Sequence, residues 1–118
     1  MYQRHNIGKI GEDVACNYLI KNKYKIIQRN FRCKTGEIDI IAKDDSELIF
    51  IEVKTRTNRK YGEPLEAINI RKKRHIYKTA NYYLYINNIE DNFIRFDVIE
   101  VYIKEKRFYI HHLKQVIV

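Results

Sequence analysis

Tryptophan is absent from this chain, methionine and proline occur once each, and glycine only four times. So few breakers exclude a Gly/Pro-rich linker or a low-complexity tail and predict mostly regular structure. No internal repeat or composition shift marks a boundary, so residues 1–118 are expected to form a single domain. The two cysteines, Cys16 and Cys33, have no paired spacing and no histidine run beside them. That argues against a disulfide scaffold and against zinc; free thiols are the expectation, with a Cys16–Cys33 bridge as the lesser alternative. No apolar run approaches the roughly 18 residues of a membrane span. The N-terminal MYQRHNIGKIGED also lacks an apolar signal core. The expectation is a soluble, cytoplasmic protein with no membrane partner and no small-molecule cofactor.

Basic residues are abundant instead. Lys and Arg number 23 against 15 Asp and Glu, a net charge of +8. Such a balance favours a polyanionic partner such as nucleic acid. The cations cluster: Lys54, Arg56, Arg59 and Lys60 form one group, and Arg71, Lys72, Lys73, Arg74, His75 and Lys78 another.

Hydrophobic periodicity orders the chain. Ile7, Ile10, Gly11, Val14, Ala15, Tyr18 and Leu19 recur at helical spacing and predict an amphipathic helix over 7–22. Glu12 lies at the edge of that stripe, beside Gly8 and Ala15. A strand is expected over 24–31, then a turn at 33–36. EIDIIAK and LIFIEVKTR follow as strands separated by Asp44-Asp45-Ser46, which reads as a hairpin. Residues 57–65 form a polar loop. A long helix runs from about 66 to 86, with Ile76, Ala80, Tyr83 and Leu84 inward and Lys72 near the stripe's extension. RFDVIEVYI and KRFYIHHL are the last strands. The order α-β-β-β-α-β-β predicts an α/β fold, a mixed sheet of about five strands flanked by helices.

Chemistry concentrates on the hairpin. Strand side chains alternate, so Leu48, Phe50, Glu52 and Lys54 share one face. By the same rule Glu37, Asp39 and Ile41 face one way and Ile38 and Ile40 the other. Glu52 and Lys54 stand roughly 6–7 Å apart along the strand. If Asp39 faces them, two carboxylates and an amine converge on a half-buried surface, which needs compensation. A hard divalent cation, Mg²⁺ or Mn²⁺, suits Asp39 and Glu52, and Lys54 can then orient water and stabilise phosphate charge. A plain cross-strand ion pair is the competing reading.

GEIDIIA followed by LIFIEVKTR resembles the central motifs of the restriction-endonuclease-like, or PD-(D/E)xK, nuclease superfamily. GKIGEDVACNYL, QRNFRCKTGEIDIIA, the YGEP turn, AINIRKKRHI and RFDVIEV extend the resemblance over nearly the whole chain, to the uncharacterised bacterial YraN-type family. The pattern is also similar to archaeal-type Holliday junction resolvases. The resemblance implies a restriction-endonuclease-like fold and Mg²⁺-dependent hydrolysis of nucleic acid, with branched or structured DNA as substrate. It assigns metal binding to Asp39, Glu52 and the Val53 backbone carbonyl, catalysis to Lys54, and to Glu12 the completion of the site. The superfamily's proline is replaced by Glu37-Ile38 ahead of Asp39. A DNA-binding module on a nuclease scaffold is the alternative, and RNA is not excluded as ligand.

Arg56, two beyond Lys54, is read as a phosphate clamp or as a solvated arginine. Lys72 either reaches the site or snorkels to solvent. Arg59, Lys60, Arg71, Lys73 and Arg74 are candidate backbone contacts. Tyr77, Tyr82, Tyr83 and Tyr85 are expected in core or subunit packing more than in base stacking. Together with the resolvase resemblance they suggest a homodimer. Arg95 and Asp97 read as a surface or structural pair on a core strand. His111 and His112 show no partner pattern.

Overall fold

Apolar spacing, not intrinsic propensity, sets the first element. The computed structural model describes residues 4–57, 70–90 and 92–116. Helix α1 spans Arg4–Lys21. Its Gly11, Ala15, Cys16 and Leu19 are buried, flanked by the partly buried Ile7, Ile10, Val14 and Tyr18. Lys23 takes a left-handed φ of 68° and closes the helix, and the Tyr24 N–H donates to the Leu19 carbonyl at 2.9 Å.

Five strands follow the predicted order: β1 Lys25–Cys33, β2 Gly36–Asp44, β3 Glu47–Arg56, then helix α2 Ile70–Ile86, β4 Phe93–Lys104 and β5 Arg107–Leu113. The sheet runs β1-β2-β3-β4-β5. β1–β2, β2–β3 and β4–β5 are antiparallel, while β3–β4 is parallel. A parallel pair needs a crossover, which the segment carrying α2 supplies. The expected start of that helix, residues 66–69, lies outside the described residues.

Helices cover both faces of the sheet centre, so β2 and β3 carry consecutive buried residues instead of a polar/apolar alternation. On the α1 side the core holds Ile40, Ala42, Ile49, Ile51, Ile99, Val101 and Ile103. On the α2 side it holds Phe31, Ile38, Ile41, Leu48, Phe50, Ala80 and Tyr83. Phe50, 1% exposed, contributes roughly 1.5–3 kcal/mol by burial alone.

One face assignment is corrected. Strict alternation places Ile38 with Ile40, yet Ile38 packs on the α2 side and Ile40 on the α1 side. The β1–β2 ladder runs Arg29↔Ile40 and then Phe31↔Ile38, passing over Asn30 and Asp39. Asn30 has a left-handed φ of 54°. The register is unchanged across this point, and the left-handed Asn30 opposite Asp39 accompanies the change of face.

Two glycines position the site. A Cβ on Gly11 would overlap the Thr55 side chain, so α1 approaches β3 at van der Waals contact only because that Cβ is missing. Gly36, with φ +148°, starts β2 after the turn in a conformation that L side chains rarely adopt. Both cysteines are free thiols.

A polar network ties α1 to the far side of the sheet. Asp97, 0% exposed, accepts from Arg95 Nε and Nη2 at 2.9 Å each, His112 Nε2 at 2.7 Å and the Gln115 N–H at 2.9 Å. With His112 Nε2 donating, its Nδ1 accepts the Tyr18 hydroxyl at 2.9 Å. The Arg95–Asp97 pair is therefore structural, and His112 has a partner set the sequence did not reveal. Among the described residues, no helix is long and apolar enough to cross a membrane.

Candidate functional site

The β2–β3 ladder ends at Ile40↔Ile51. Beyond that rung β3 continues beside β4, with Glu52↔Val98 and Lys54↔Glu100, and leaves its β2 edge open. Asp39 and Glu52 flank this opening. Asp39 Oδ2 accepts the Val53 N–H at 2.8 Å, replacing the missing ladder bond. A strand residue's N–H and C=O point to the same edge, so the Val53 carbonyl faces the same gap.

Lys54 Nζ lies 3.5 Å from Glu52 Oε1, and Lys72 Nζ reaches the same oxygen at 3.3 Å. Glu52 and Lys54 are 15% and 16% exposed at their side chains. The structure therefore brings together Asp39, Glu52, Lys54 and Lys72, the last from the first turn of α2.

Protonation follows from this crowding. Burial, then the charges of Glu52, Glu12 and Glu37, push the Asp39 carboxyl up to about 7 against the opposing Val53 N–H. Burial and Lys72 hold the Lys54 amine below the usual lysine range. For Lys72, burial pulls downward, but its hydrogen bond to Lys54 and the nearby Glu52 and Asp39 carboxylates hold it above that range. Both amines lean on one Glu52 oxygen, so their protonation is linked.

Two clefts meet at the carboxylates. One, of about 500 Å³, is lined by Ile7, Gly8, Glu12 and residues 52–56 among others, together with Asp39. The other, of about 250 Å³, lies against α2 and includes Glu37, Asp39, Glu52, Lys72 and His75. Glu12 stands on the wall of the first, where its Oε1 accepts Asn30 Nδ2 at 2.8 Å and sits 3.5 Å from Arg29. Among the described residues no three His, Cys, Asp or Glu side chains gather closely enough to cage a metal. Two carboxylates on a gap with a backbone carbonyl still suit a small hard cation, since Mg²⁺ takes only one or two carboxylates and keeps its waters.

Arg56 lines the larger cleft. Arg59 and Lys60 lie outside the described residues. Arg71 and Arg74 are exposed and Lys73 is half-buried on α2, none of them lining either cleft.

Sequence reading missed Glu100. It is 0% exposed, shares the rung of Lys54, and takes hydrogen bonds from the Tyr102 hydroxyl at 2.8 Å and from His111 Nδ1 at 3.0 Å. The available signal was a lone glutamate inside the apolar run VIEV. His111 faces it across the β4–β5 rung, a pairing that sequence spacing does not encode.

Residues 11–101 match the model of the uncharacterised protein family UPF0102. The chain belongs to this family. The matched span contains Glu12, Asp39, Glu52, Lys54 and Lys72 and stops short of β5. A UPF0102 protein of Clostridioides difficile (strain 630) is 51% identical over 106 residues, covering 90% of this chain and 91% of the relative. A UPF0102 protein of Clostridium botulinum (strain 657 / Type Ba4) is 54% identical over 101 residues, covering 85% and 82%. One from Caldicellulosiruptor bescii is 46% identical over 101 residues, covering 85% of each chain. A solved chain, "Crystal structure of SSO0001", is similar at a TM-score of 0.37 with 22% identity, over 92% of this chain and 50% of that one. UPF0102 membership agrees with the YraN-type resemblance of the motifs.

Proposed function

We propose that this UPF0102 protein is a metal-dependent phosphodiesterase of the restriction-endonuclease-like, PD-(D/E)xK, superfamily, acting on nucleic acid, with branched or otherwise structured DNA as the preferred form. One observation carries the reading: Asp39, Glu52 and Lys54 meet where β2 and β3 part, on the wall of an open cleft.

Asp39, Glu52 and the Val53 carbonyl are the groups that would hold Mg²⁺ or Mn²⁺. When bound there, the ion supplies Lewis-acid charge and acidifies water. The chain's own residues do the rest. Lys54, with its lowered proton affinity, orients the attacking water and accepts its proton as the oxygen adds to phosphorus, while the bond from phosphorus to the leaving nucleotide oxygen breaks and that oxygen takes a proton from solvent. Lys72, held charged, stabilises the negative charge that develops on the phosphoryl oxygens. Glu12, on the cleft wall, orients water at the site's edge. Arg71, Lys73 and Arg74 supply sequence-independent phosphate contacts, and an assembled homodimer would present two such sites to a branched substrate.

Purified protein incubated with Mg²⁺ or Mn²⁺ on linear, flapped, single-stranded and four-way DNA tests the reading. The expected result is cleavage that Asp39→Asn and Lys54→Ala each abolish. No cleavage of any substrate, or cleavage by both variants at the wild-type rate, overturns it.

A second reading is a DNA-binding module that does not cut alone, a role the net charge of +8 would serve. Its signature is binding that weakens steeply with salt, without cleavage, and is unchanged by Lys54→Ala.

A further inference from the structure

Among the cations that line the larger cleft, Arg56 has no ion-pair partner among the described residues. Lys54 leans on Glu52, which Lys72 also engages from α2. Arg56 forms no ion pair among the described residues, and its Nε is buried without a hydrogen-bond acceptor. The acids of the cleft are already engaged: Glu52 by the two lysines, Glu12 by Asn30 and Arg29, Asp39 by the Val53 N–H. A buried donor left without an acceptor is destabilising, because its lost hydration is not replaced. Buried polar groups in folded proteins are otherwise almost always satisfied, and the exceptions call for a cause such as a missing ligand.

We infer that Arg56 is the receptor for a second phosphate, one nucleotide removed from the phosphate that faces Lys54. The inference rests on the nucleic-acid reading of the site, but its test does not use cleavage. Arg56 follows Lys54 by two residues on β3, so the two cations step along one strand at roughly 6–7 Å. That step suits consecutive phosphates of one nucleic-acid strand. A guanidinium presents a planar fork that pairs two phosphate oxygens at once, and its charge does not titrate away. The unpaired Nε–H is thus one arm of a bidentate site that the protein itself leaves open. A free phosphate ion or a nucleotide strand offers the same oxygens, so the ligands in the test must separate these sources.

The experiment is a metal-free NMR titration at about 150 mM salt, where long-range charge effects are damped. The ligands are inorganic phosphate, thymidine dinucleotide with one phosphate, and trinucleotide with two. Wild type is expected to bind the trinucleotide about ten-fold more tightly than the dinucleotide, the increment of one charge-assisted contact. Arg56→Gln is expected to erase that gap, Arg56→Lys to restore part of it, and Lys78→Ala, an exposed lysine lining neither cleft, to keep it whole. Two-dimensional spectra of each variant check the fold. A gap that survives Arg56→Gln, no gap in wild type, or binding of inorganic phosphate that matches the trinucleotide overturns the inference. If the gap behaves as expected while no DNA is cut under any condition, the second phosphate site stands and the cleavage reading falls.

Discussion

Replacing Asp97 by alanine should bring this domain close to unfolding. The carboxylate is 0% exposed and satisfies two nitrogens of Arg95, one of His112 and one backbone N–H of Gln115. Removing it leaves the Arg95 guanidinium, 12% exposed at its side chain, with Glu47 and the Tyr24 hydroxyl as its remaining partners. Breaking one side of a buried pair costs about 3–5 kcal/mol. An orphaned imidazole donor and backbone N–H would each add about 1–3 kcal/mol, and because Glu47 still screens Arg95 the total is expected at the low end of the sum, about 5 kcal/mol. Domains of this kind are stable by only about 5–15 kcal/mol. The melting temperature should therefore fall by about 10–20 °C. Urea denaturation followed by circular dichroism measures the loss directly. Although burial pushes the Asp97 carboxyl up, the bonds from His112, Arg95 and Gln115 outweigh it and hold the carboxyl below the usual carboxylate range. A depressed acid stabilises the fold fully above its unfolded pKa, about 3.9, and loses that contribution as pH falls through the lower folded value. Wild type and Asp97→Ala should therefore differ fully at pH 7, and the gap should begin to narrow only as pH falls below about 3.9 toward the lower folded value. A loss under about 1 kcal/mol at pH 7, or a gap that shows no narrowing as pH falls below about 3.9, would refute the reasoning. Arg95→Met combined with Asp97→Leu, which removes both charges together, should cost less than Asp97→Ala alone.

Other expectations follow from the same geometry. Gly11→Ala should destabilise by about 2–3 kcal/mol through its clash with Thr55, and Thr55→Gly should restore much of that; equal stability of Gly11→Ala and wild type in urea would contradict the close approach. Asp39→Asn should stabilise the metal-free protein at pH 8 and not at pH 4. A raised acid keeps its full native stability below its unfolded pKa and loses it as pH rises toward about 7, so a variant that melts below wild type at pH 8 would count against the crowding at this carboxyl. On the proposed reading, millimolar Mg²⁺ should raise the melting temperature of wild type, and the same variant should lose that rise. Lys72→Ala should reduce cleavage about ten- to hundred-fold with little change in DNA binding; an unchanged rate would remove Lys72 from the site. Replacing Arg71, Lys73 and Arg74 together by alanine should lower the slope of log affinity against log salt by about 2.7 if each meets one phosphate.

Period and punctuation made most of the secondary structure legible. The stripe from Ile7 to Leu19, the Asp44-Asp45-Ser46 turn and the Ile76–Ala80–Tyr83 stripe are local patterns, and the elements formed where they lie. The spacing of Glu52 and Lys54 on one strand fixed their common side in advance, because alternation is a property of the backbone. Asp39 was harder. Its approach to Glu52 depends on the change of face between Ile38 and Ile40 and on the ladder ending at Ile40↔Ile51, neither of which alternation encodes. Lys72 was ambiguous in sequence because a lysine at the edge of a helical stripe can point either way, and the crossing of α2 over the sheet decided it.

What the sequence determined by itself was order, periodicity and charge: an α-β-β-β-α-β-β chain, strongly basic, with an aspartate and an ExK pair on neighbouring strands. What only tertiary structure decided was partnership across distance. His112 is 15 residues from Asp97, Glu100 meets Lys54 through a parallel pairing, and Gly11 matters because Thr55 lies against it. The physical reason is that hydrogen bonding and packing act through space over a few ångströms, whereas sequence patterns report only the repeat of a local backbone.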